Sequence, residues 1–148
     1  MNKILSILLC IGLNQLAFSQ TITKRAIETK NAPAPIGPYS QAIQAGNILF
    51  VSGQIAKDPA TGTLKNASIT EEVTQVMNNI KAILEAAGLS VDDIAKTTIY
   101  LTDMNDFKQV NEIYGSYFKN PYPARETVQV SNLPAGAKVE ISVMAVVK

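Results

Sequence analysis

The sequence contains no histidine and no tryptophan, and only one of its 148 residues is a cysteine. Without histidine the chain lacks the most common general base, metal ligand and physiological pH switch. Its 13 basic residues nearly balance its 12 acidic ones, which disfavours nucleic acid or an anionic membrane as a partner, because both bind clustered positive charge. Any chemistry must therefore come from carboxylates, arginine, lysine, tyrosine, hydroxyl groups or the backbone.

The first 19 residues have the features of a secretory signal segment. Lys3 precedes an apolar run over residues 4–13, and residues 16–19 end in the small-residue pattern that precedes a cleavage site. The run is too short to span a membrane as a helix. We therefore expect cleavage after residue 19, which removes Cys10 and places the protein in the periplasm or outside the cell. The alternative is a disordered or mis-started tail on a cytoplasmic protein.

Residues 20–148 fit a single α+β domain with one sheet and two helices on one of its faces. The first helix begins at a capping box, Ser68 to Glu71, and ends at Gly88. Asp103 is expected to cap the second helix, which ends before Pro121 and has an apolar stripe that is expected to be core: Phe107, Val110, Ile113, Tyr114, Tyr117 and Phe118. The other predicted elements are a strand at 21–28, a proline-rich loop at 31–38, a hairpin of strands 39–45 and 48–52, a turn at 58–62, a strand at 94–102, and two closing strands at 125–131 and 138–147.

The two closing strands are expected to pair with each other and to leave one face of the sheet open. The helices should cover the valine and isoleucine face. The open face is then predicted to carry a mixed set of side chains, Arg125, Thr127, Gln129, Glu140, Ser142, Met144 and Val146. A half-apolar open face favours a partner subunit.

Two charged residues on these strands are candidates for a site. The guanidinium of Arg125 can bind a carboxylate through two parallel hydrogen bonds, and Glu140 can polarise a water or carry a proton if burial raises its pKa. The alternative is a salt-bridged or solvated pair, which is common for one arginine and one glutamate on neighbouring strands. The alternative for Tyr39 is that its ring serves only in packing. From the residues alone the chain is an oligomeric α+β domain with a candidate anion pocket.

Seven ordered segments resemble one known family, the Rid family of reactive intermediate deaminases (RidA subgroup, also called YjgF). They are NAPAPIGPYS (31–40), VSGQI (51–55), NIKAILEAAG (79–88), TTIYLTD (97–103), FKQVN (107–111), YPAR (122–125) and LPAGAKVEI (133–141). The resemblance runs from about residue 23 to the C-terminus. It implies a chorismate-mutase-like α+β fold with a mixed sheet, and a homotrimer whose sheets form a central barrel with ligand clefts between subunits.

The resemblance also implies an activity that needs no metal or organic cofactor. Family members hydrolyse enamine or imine intermediates, such as 2-aminoacrylate (2-iminopropanoate) and 2-iminobutanoate, to 2-oxo acids and ammonia. By this resemblance Arg125 binds the substrate carboxylate and Glu140 activates the attacking water. The residues implied to line the pocket are Tyr39, Ser52, Gly53, Asn111 and Thr127. Thr127 stands where some members have a cysteine, which puts thiol-based regulation in doubt.

The expected hairpin makes it hard for one chain to complete this site. If Ser131 pairs with Lys138, Glu140 lies opposite Gln129, four residues from Arg125, or roughly 13 Å at the rise of a strand. That is too far for both side chains to contact one small substrate. We therefore expect Arg125 of one subunit and Glu140 of its neighbour to share a cleft.

Two other functions compete with hydrolysis. One is a non-catalytic exported trimer that binds small carboxylates or acts like a holdase, and the retained Arg125 and Glu140 favour catalysis over it. The other is a nuclease, which the balanced charge and the absence of histidine disfavour. A small-molecule imino acid is thus the predicted partner, with no nucleic acid and no membrane after cleavage.

Overall fold

The computed structural model describes residues 23–148, which fold into six strands and two α-helices. The strands are β1 (Lys24–Ile27), β2 (Ala42–Ala45), β3 (Ile48–Gln54), β4 (Ile94–Leu101), β5 (Ala124–Gln129) and β6 (Val139–Val146). The helices are α1 (Ile69–Ala86) and α2 (Phe107–Gly115), and short 3₁₀ turns occupy Val91–Asp93, Met104–Asp106 and Pro134–Gly136. Within this part of the chain, no helix has the length and apolar character to cross a membrane.

The strands form one mixed sheet in the order β1-β2-β3-β6-β4-β5. Only β4 and β5 run parallel; every other neighbouring pair is antiparallel. Alternate residues of β6 are buried beneath the helices, namely Val139, Ile141, Val143 and Ala145. They pack with the apolar face of α1 because a strand turns every second side chain to the same side. The predicted α+β fold with two helices on one face of the sheet is confirmed.

Local sequence signals set the ends of most elements. Gly46 has φ of 61°, as the tight turn between β2 and β3 requires. Ser68 Oγ accepts a hydrogen bond from Glu71 N at 3.1 Å and so caps α1, while Glu71 Oε2 accepts from Ala67 N at 3.0 Å instead of from the amide of Ser68. The prolines at 31–38 keep that stretch irregular, as expected.

The second helix is shorter than its apolar stripe predicts. Asp103 Oδ1 accepts a hydrogen bond from Asn105 N at 2.8 Å, so this aspartate caps a 3₁₀ turn, and the α-helix begins only at Phe107. It ends at Gly115, which leaves Tyr117 and Phe118 in the turn that follows. The stripe marked which side chains pack inward, but it did not mark the end of the helix.

The predicted hairpin of the two closing strands is wrong. β5 and β6 do not pair with each other; both flank β4, so that Ile99 has Thr127 on one side and Ile141 on the other. The buried centre of β4 needs a neighbour along each edge, and residues 130–138 are long enough to carry the chain past it. Closeness in sequence therefore did not determine which strands are paired.

The predicted open face is wrong in part for the same reason. In the parallel register Arg125 lies beside Thr97 and Thr127 beside Ile99, so both point to the helix-covered side, and Gln129 follows them. The open face carries the alternate residues of β5 instead, including Val128, which is 43% exposed. The residues of β6 at even positions from Glu140 to Val146 do lie on the open face, as expected.

Candidate active site

A cavity of about 300 Å³ opens on the exposed side of the sheet around the carboxylate of Glu140. We call it the glutamate pocket. Its lining residues are Ile36, Tyr39, Ser52, Gly53, Ile55, Pro134 and Glu140. They come from the proline-rich loop, from β3, from the Pro134–Gly136 turn and from β6. Four of the seven side chains expected at the site are thus brought together here.

Gly53 allows the carboxylate of Glu140 to lie against the backbone of β3. A Cβ atom at position 53 would overlap the carboxyl group of Glu140. The register between β3 and β6 also shifts between Val51 and Gln54. Such an irregularity changes the direction in which the side chains of a strand point. Only glycine permits this approach, so Gly53 fixes where the carboxylate sits.

The carboxyl group of Glu140 is half buried, and this burial raises its pKa above the usual 4.5. Within residues 23–148 no side chain or amide donates a hydrogen bond to it, and no cation pairs with it. Asp58 shows the opposite case, because Lys65 and two turn amides lower its pKa to about 2. Glu140 is therefore available to accept a proton from water or to return one.

Two polar side chains of the pocket are held by hydrogen bonds to the backbone. Ser52 Oγ donates to Ser40 O at 2.7 Å, which leaves the serine oxygen able to accept from a ligand. The hydroxyl oxygen of Tyr39 accepts from Ile36 N at 3.3 Å, and the ring is about half exposed at the mouth. The pocket thus has polar groups in fixed positions among apolar walls.

Arg125 lies on the other side of the sheet, against the aromatic rings of α2. Its guanidinium carbon is 5.2 Å from the ring centroid of Tyr114 and 6.0 Å from that of Phe107. The hydroxyl of Tyr114 donates to Thr97 Oγ1 at 2.9 Å, which fixes the ring. Among the described residues no carboxylate pairs with Arg125. Its charge is therefore free to bind an anion.

Two buried polar atoms lie on the same side as Arg125. Asn111 is four residues after Phe107 and three before Tyr114, so all three share one face of α2. Asn111 Oδ1 and Thr127 Oγ1 are buried and have no hydrogen-bond partner within residues 23–148. Because an unpaired buried polar atom is costly, these atoms are candidates for contact with a bound molecule or water. Phe107, Asn111, Tyr114, Arg125 and Thr127 are called the arginine cluster below.

The glutamate pocket and the arginine cluster do not meet within one chain. Glu140 and Val128 both lie beside Tyr100, and Arg125 is three residues before Val128. The Cα atoms of Arg125 and Glu140 are therefore about 14 Å apart by strand spacing and rise, and the two side chains point to opposite faces. The estimate of 13 Å from the expected hairpin was close in size but rested on the wrong strand pairing.

Sequence reasoning missed the residues that support the site. Phe107 and Tyr114 were expected to be core residues only, because their helical spacing says nothing about which cation lies above the rings. Glu72 was not singled out, although its buried Oε1 accepts from Lys138 N at 2.6 Å and from Val139 N at 3.2 Å and so holds the start of β6. In residues 23–148 no three histidine, cysteine or acidic side chains gather as metal ligands would.

Comparison with known proteins identifies the family. The family model described as endoribonuclease L-PSP, which covers the Rid and YjgF proteins, matches residues 29–147. The chain belongs to the Rid family. The model reaches from the proline-rich loop to the end of β6, so the glutamate pocket and the arginine cluster both lie within the matched region.

Individual Rid proteins are similar over most of this chain. A RutC family protein of Pyrococcus horikoshii is 55% identical over 122 residues, which are 82% of this chain and 97% of that protein. The 2-iminobutanoate/2-iminopropanoate deaminase of Mus musculus is 47% identical over 85% of this chain and 93% of its own length. The crystal structure of E. coli TdcF with bound serine superposes with a TM-score of 0.80 at 44% identity, covering 84% of this chain and 99% of that one.

These relatives contradict the expected periplasmic or secreted location, which is wrong. They are mostly cytosolic Rid proteins. The expected signal segment falls on residues 1–19, which lie outside the described residues. The location was inferred from a lysine and a short apolar run, and apolar side chains serve packing and other contacts as well as export, so the pattern did not specify a compartment.

Proposed function

We propose that this Rid protein is a hydrolytic deaminase of small 2-imino acids and their enamine tautomers, 2-aminoacrylate and 2-iminobutanoate among them. One observation carries the proposal: Arg125 and the half-buried Glu140, neither of which has an ion-pair partner among residues 23–148, lie on opposite faces of the same sheet. The mammalian relatives named as deaminases of these substrates support it.

Arg125 is proposed to bind the substrate carboxylate. Its guanidinium can donate two parallel hydrogen bonds, and it lies over the rings of Phe107 and Tyr114. The buried oxygens of Asn111 and Thr127 are proposed to contact the polar groups of the same ligand. The relative TdcF binds serine, a molecule that also has a carboxylate and a nitrogen on one carbon.

Glu140 is proposed to act on water. Its carboxylate accepts one proton from the attacking water as the water oxygen bonds to the imine carbon, and it returns that proton to the imine nitrogen, which gives a carbinolamine and restores the carboxylate. Transfer of the carbinolamine hydroxyl proton to the nitrogen, with cleavage of the carbon–nitrogen bond, then releases ammonia and the 2-oxo acid. Tyr39, Ser52 and Gly53 are proposed to line this side of the substrate. An imine is already electrophilic, so positioning and proton transfer suffice.

The proposed site needs two copies of the chain. Because Arg125 and Glu140 point away from each other across the sheet, a small substrate can contact both only between the arginine cluster of one subunit and the glutamate pocket of another. The exposed apolar residues Phe50, Val128 and Val146 on the open side of the sheet are suited to cover by a neighbour. We propose a homotrimer with such shared sites.

Mixing two inactive variants tests the activity and the shared site together. Arg125→Ala and Glu140→Ala are each expected to lose hydrolysis of an imine that an amino-acid oxidase or dehydratase generates in situ, measured as ammonia and 2-oxo acid. After unfolding and refolding in equal amounts, random assembly should restore about a quarter of the sites, because one interface then receives both intact residues. Activity in neither the native protein nor the mixture would exclude the deaminase, and an active native protein with an inactive mixture would exclude the shared site.

A further inference from the structure

Gln41 is a buried side chain that is not among the residues lining the glutamate pocket. It immediately precedes β2, and only 2% of it is exposed. Its Oε1 accepts from Thr29 N at 2.7 Å, and its Nε2 lies within hydrogen-bond distance of three carbonyl oxygens, those of Thr29 (3.0 Å), Ala32 (3.1 Å) and Pro33 (2.9 Å). One side chain therefore meets four backbone groups of the segment before it.

The proline-rich loop needs such a partner. Prolines at 33, 35 and 38 have no N–H, and the stretch between β1 and β2 makes no strand or helix that would satisfy its carbonyls. Ala32 packs into the core, but residues 34–38 of the loop are exposed and have little packing. Ala34 and Pro35 border a cavity of about 590 Å³, while Ile36 and Tyr39 border the glutamate pocket. Hydrogen bonds to its backbone, together with the packing of Ala32, must therefore hold the loop in place.

The same residue ties the loop to β3. The backbone oxygen of Gln41 accepts from Ser52 N at 3.0 Å, and Ser52 Oγ donates to Ser40 O at 2.7 Å. Ser52 precedes Gly53, on which the carboxylate of Glu140 rests. Gln41 is thus linked to both walls that flank the carboxylate.

We infer that Gln41 is a positioning residue that fixes the proline-rich loop as one wall of the glutamate pocket, and so sets where Tyr39 and Ile36 stand relative to the carboxylate of Glu140. This role rests on the deaminase function proposed above. The side chain acts through the loop and does not touch the substrate. Loss of the Gln41 side chain should disturb the placement of the attacking water more than the binding of the substrate carboxylate by Arg125, because Arg125 lies on the opposite face of the sheet.

The test is Gln41→Met, which keeps the length of the side chain and removes all four hydrogen bonds. We expect kcat for imine hydrolysis to fall about 10-fold or more, since small misplacements at a site have effects of this size, while KM changes far less. Gln44→Met is the matched control, because Gln44 on β2 makes only exposed side-chain hydrogen bonds: it accepts one from Arg25 and donates one to Gly46 O. Val76→Ala in the buried face of α1 controls for lost stability alone. A kcat for Gln41→Met equal to that of either control would overturn the inference.

Hydrogen exchange separates this inference from the proposed activity. In the native protein the Thr29 amide, which lies outside any strand, should exchange about 100-fold more slowly than an unprotected loop amide, and Gln41→Met should remove that protection. Rapid exchange of the Thr29 amide in the native protein would overturn the inference about Gln41 even if the variant did not fold. A native protein with this protection but without deaminase activity would refute the proposed function and still support the role of Gln41 in holding the loop.

Discussion

The arginine cluster and the glutamate pocket differ in what supports them. Arg125 extends from a strand onto the aromatic face of a helix, and the hydrogen bond from Tyr114 to Thr97 ties that helix to the sheet. The carboxylate of Glu140 depends instead on a glycine, on a bulge and on a loop that side-chain hydrogen bonds hold. Regular secondary structure positions Arg125, whereas close backbone approach positions Glu140. Small substitutions should therefore disturb the glutamate pocket without unfolding the rest of the domain.

The largest effect is expected in the arginine cluster. Arg125→Ala should lower kcat/KM for imine hydrolysis by about 100-fold to 1000-fold, because it removes the two charge-assisted hydrogen bonds proposed to hold the substrate carboxylate. Arg25 is the only other arginine in the sequence. It lies exposed on β1 and donates to Gln44, so Arg25→Ala should leave kcat/KM unchanged. Equal losses in the two variants would show that charge, and not the cluster, is what matters.

Gly53→Ala should distort the glutamate pocket by adding a single methyl group. The new Cβ overlaps the carboxyl group of Glu140, so we expect the carboxylate to move and kcat to fall by about 10-fold to 100-fold with a smaller change in KM. Gly115→Ala is the control, because a Cβ there meets no atom within 4 Å. If kcat survives in Gly53→Ala, the position of the carboxylate is less restricted than the structure indicates.

The raised pKa of Glu140 couples activity to stability with opposite signs. The proposed mechanism needs the carboxylate form of Glu140, so kcat/KM should fall as pH drops through the pKa in the folded protein, which lies above 4.5. Burial disfavours the charged form, so the contribution of Glu140 to stability is complete below its unfolded pKa and is lost as pH rises through the folded one.

Glu140→Gln should therefore slow hydrolysis and raise the melting temperature at neutral pH, with the difference in melting temperature vanishing in acid. Thermal unfolding of both proteins across this pH range gives the measurement. Glu126→Gln is the control, because Thr98 and Lys96 lower the pKa of Glu126, so this substitution should not stabilise the protein at neutral pH. A melting temperature for Glu140→Gln below that of the native protein at neutral pH would show that the native carboxylate has a stabilising partner.

The smallest effect is expected at the hydroxyl of Tyr114. Tyr114→Phe keeps the ring beneath Arg125 and removes the hydrogen bond to Thr97 Oγ1, which should cost about 1 kcal/mol of the free energy of unfolding with little loss of kcat/KM. Tyr114→Leu removes the ring as well and should raise KM. Urea unfolding and steady-state kinetics distinguish the two. If Tyr114→Phe and Tyr114→Leu raise KM equally, the hydroxyl positions Arg125 and the ring does not.

The sequence predicted the fold better than it predicted the site. Helix caps and tight turns act over a few residues, so Ser68 and Gly46 marked element ends that the structure confirms. The family resemblance predicted seven site residues, and four of them line one cavity. The pairing of β5 was missed because a strand of six residues, mostly exposed, has no pattern that names its neighbour.

The residues that hold the site in place were the hardest to predict. Gln41 and Glu72 look like ordinary polar residues in the sequence, and only the folded chain shows that each is buried and hydrogen-bonded to the backbone of another segment. The aromatic residues of α2 were correctly expected to pack inward, yet their contact with Arg125 depends on which strand lies beneath the helix.

By itself the sequence determined the element types, the family and the sparse set of groups available for chemistry, because periodicity, caps and composition act locally or over the whole chain. The tertiary structure alone decided that Arg125 and Glu140 lie on opposite faces. That arrangement follows from the insertion of β4 between β5 and β6, since the parallel register of β5 fixes which of its side chains point toward the helices.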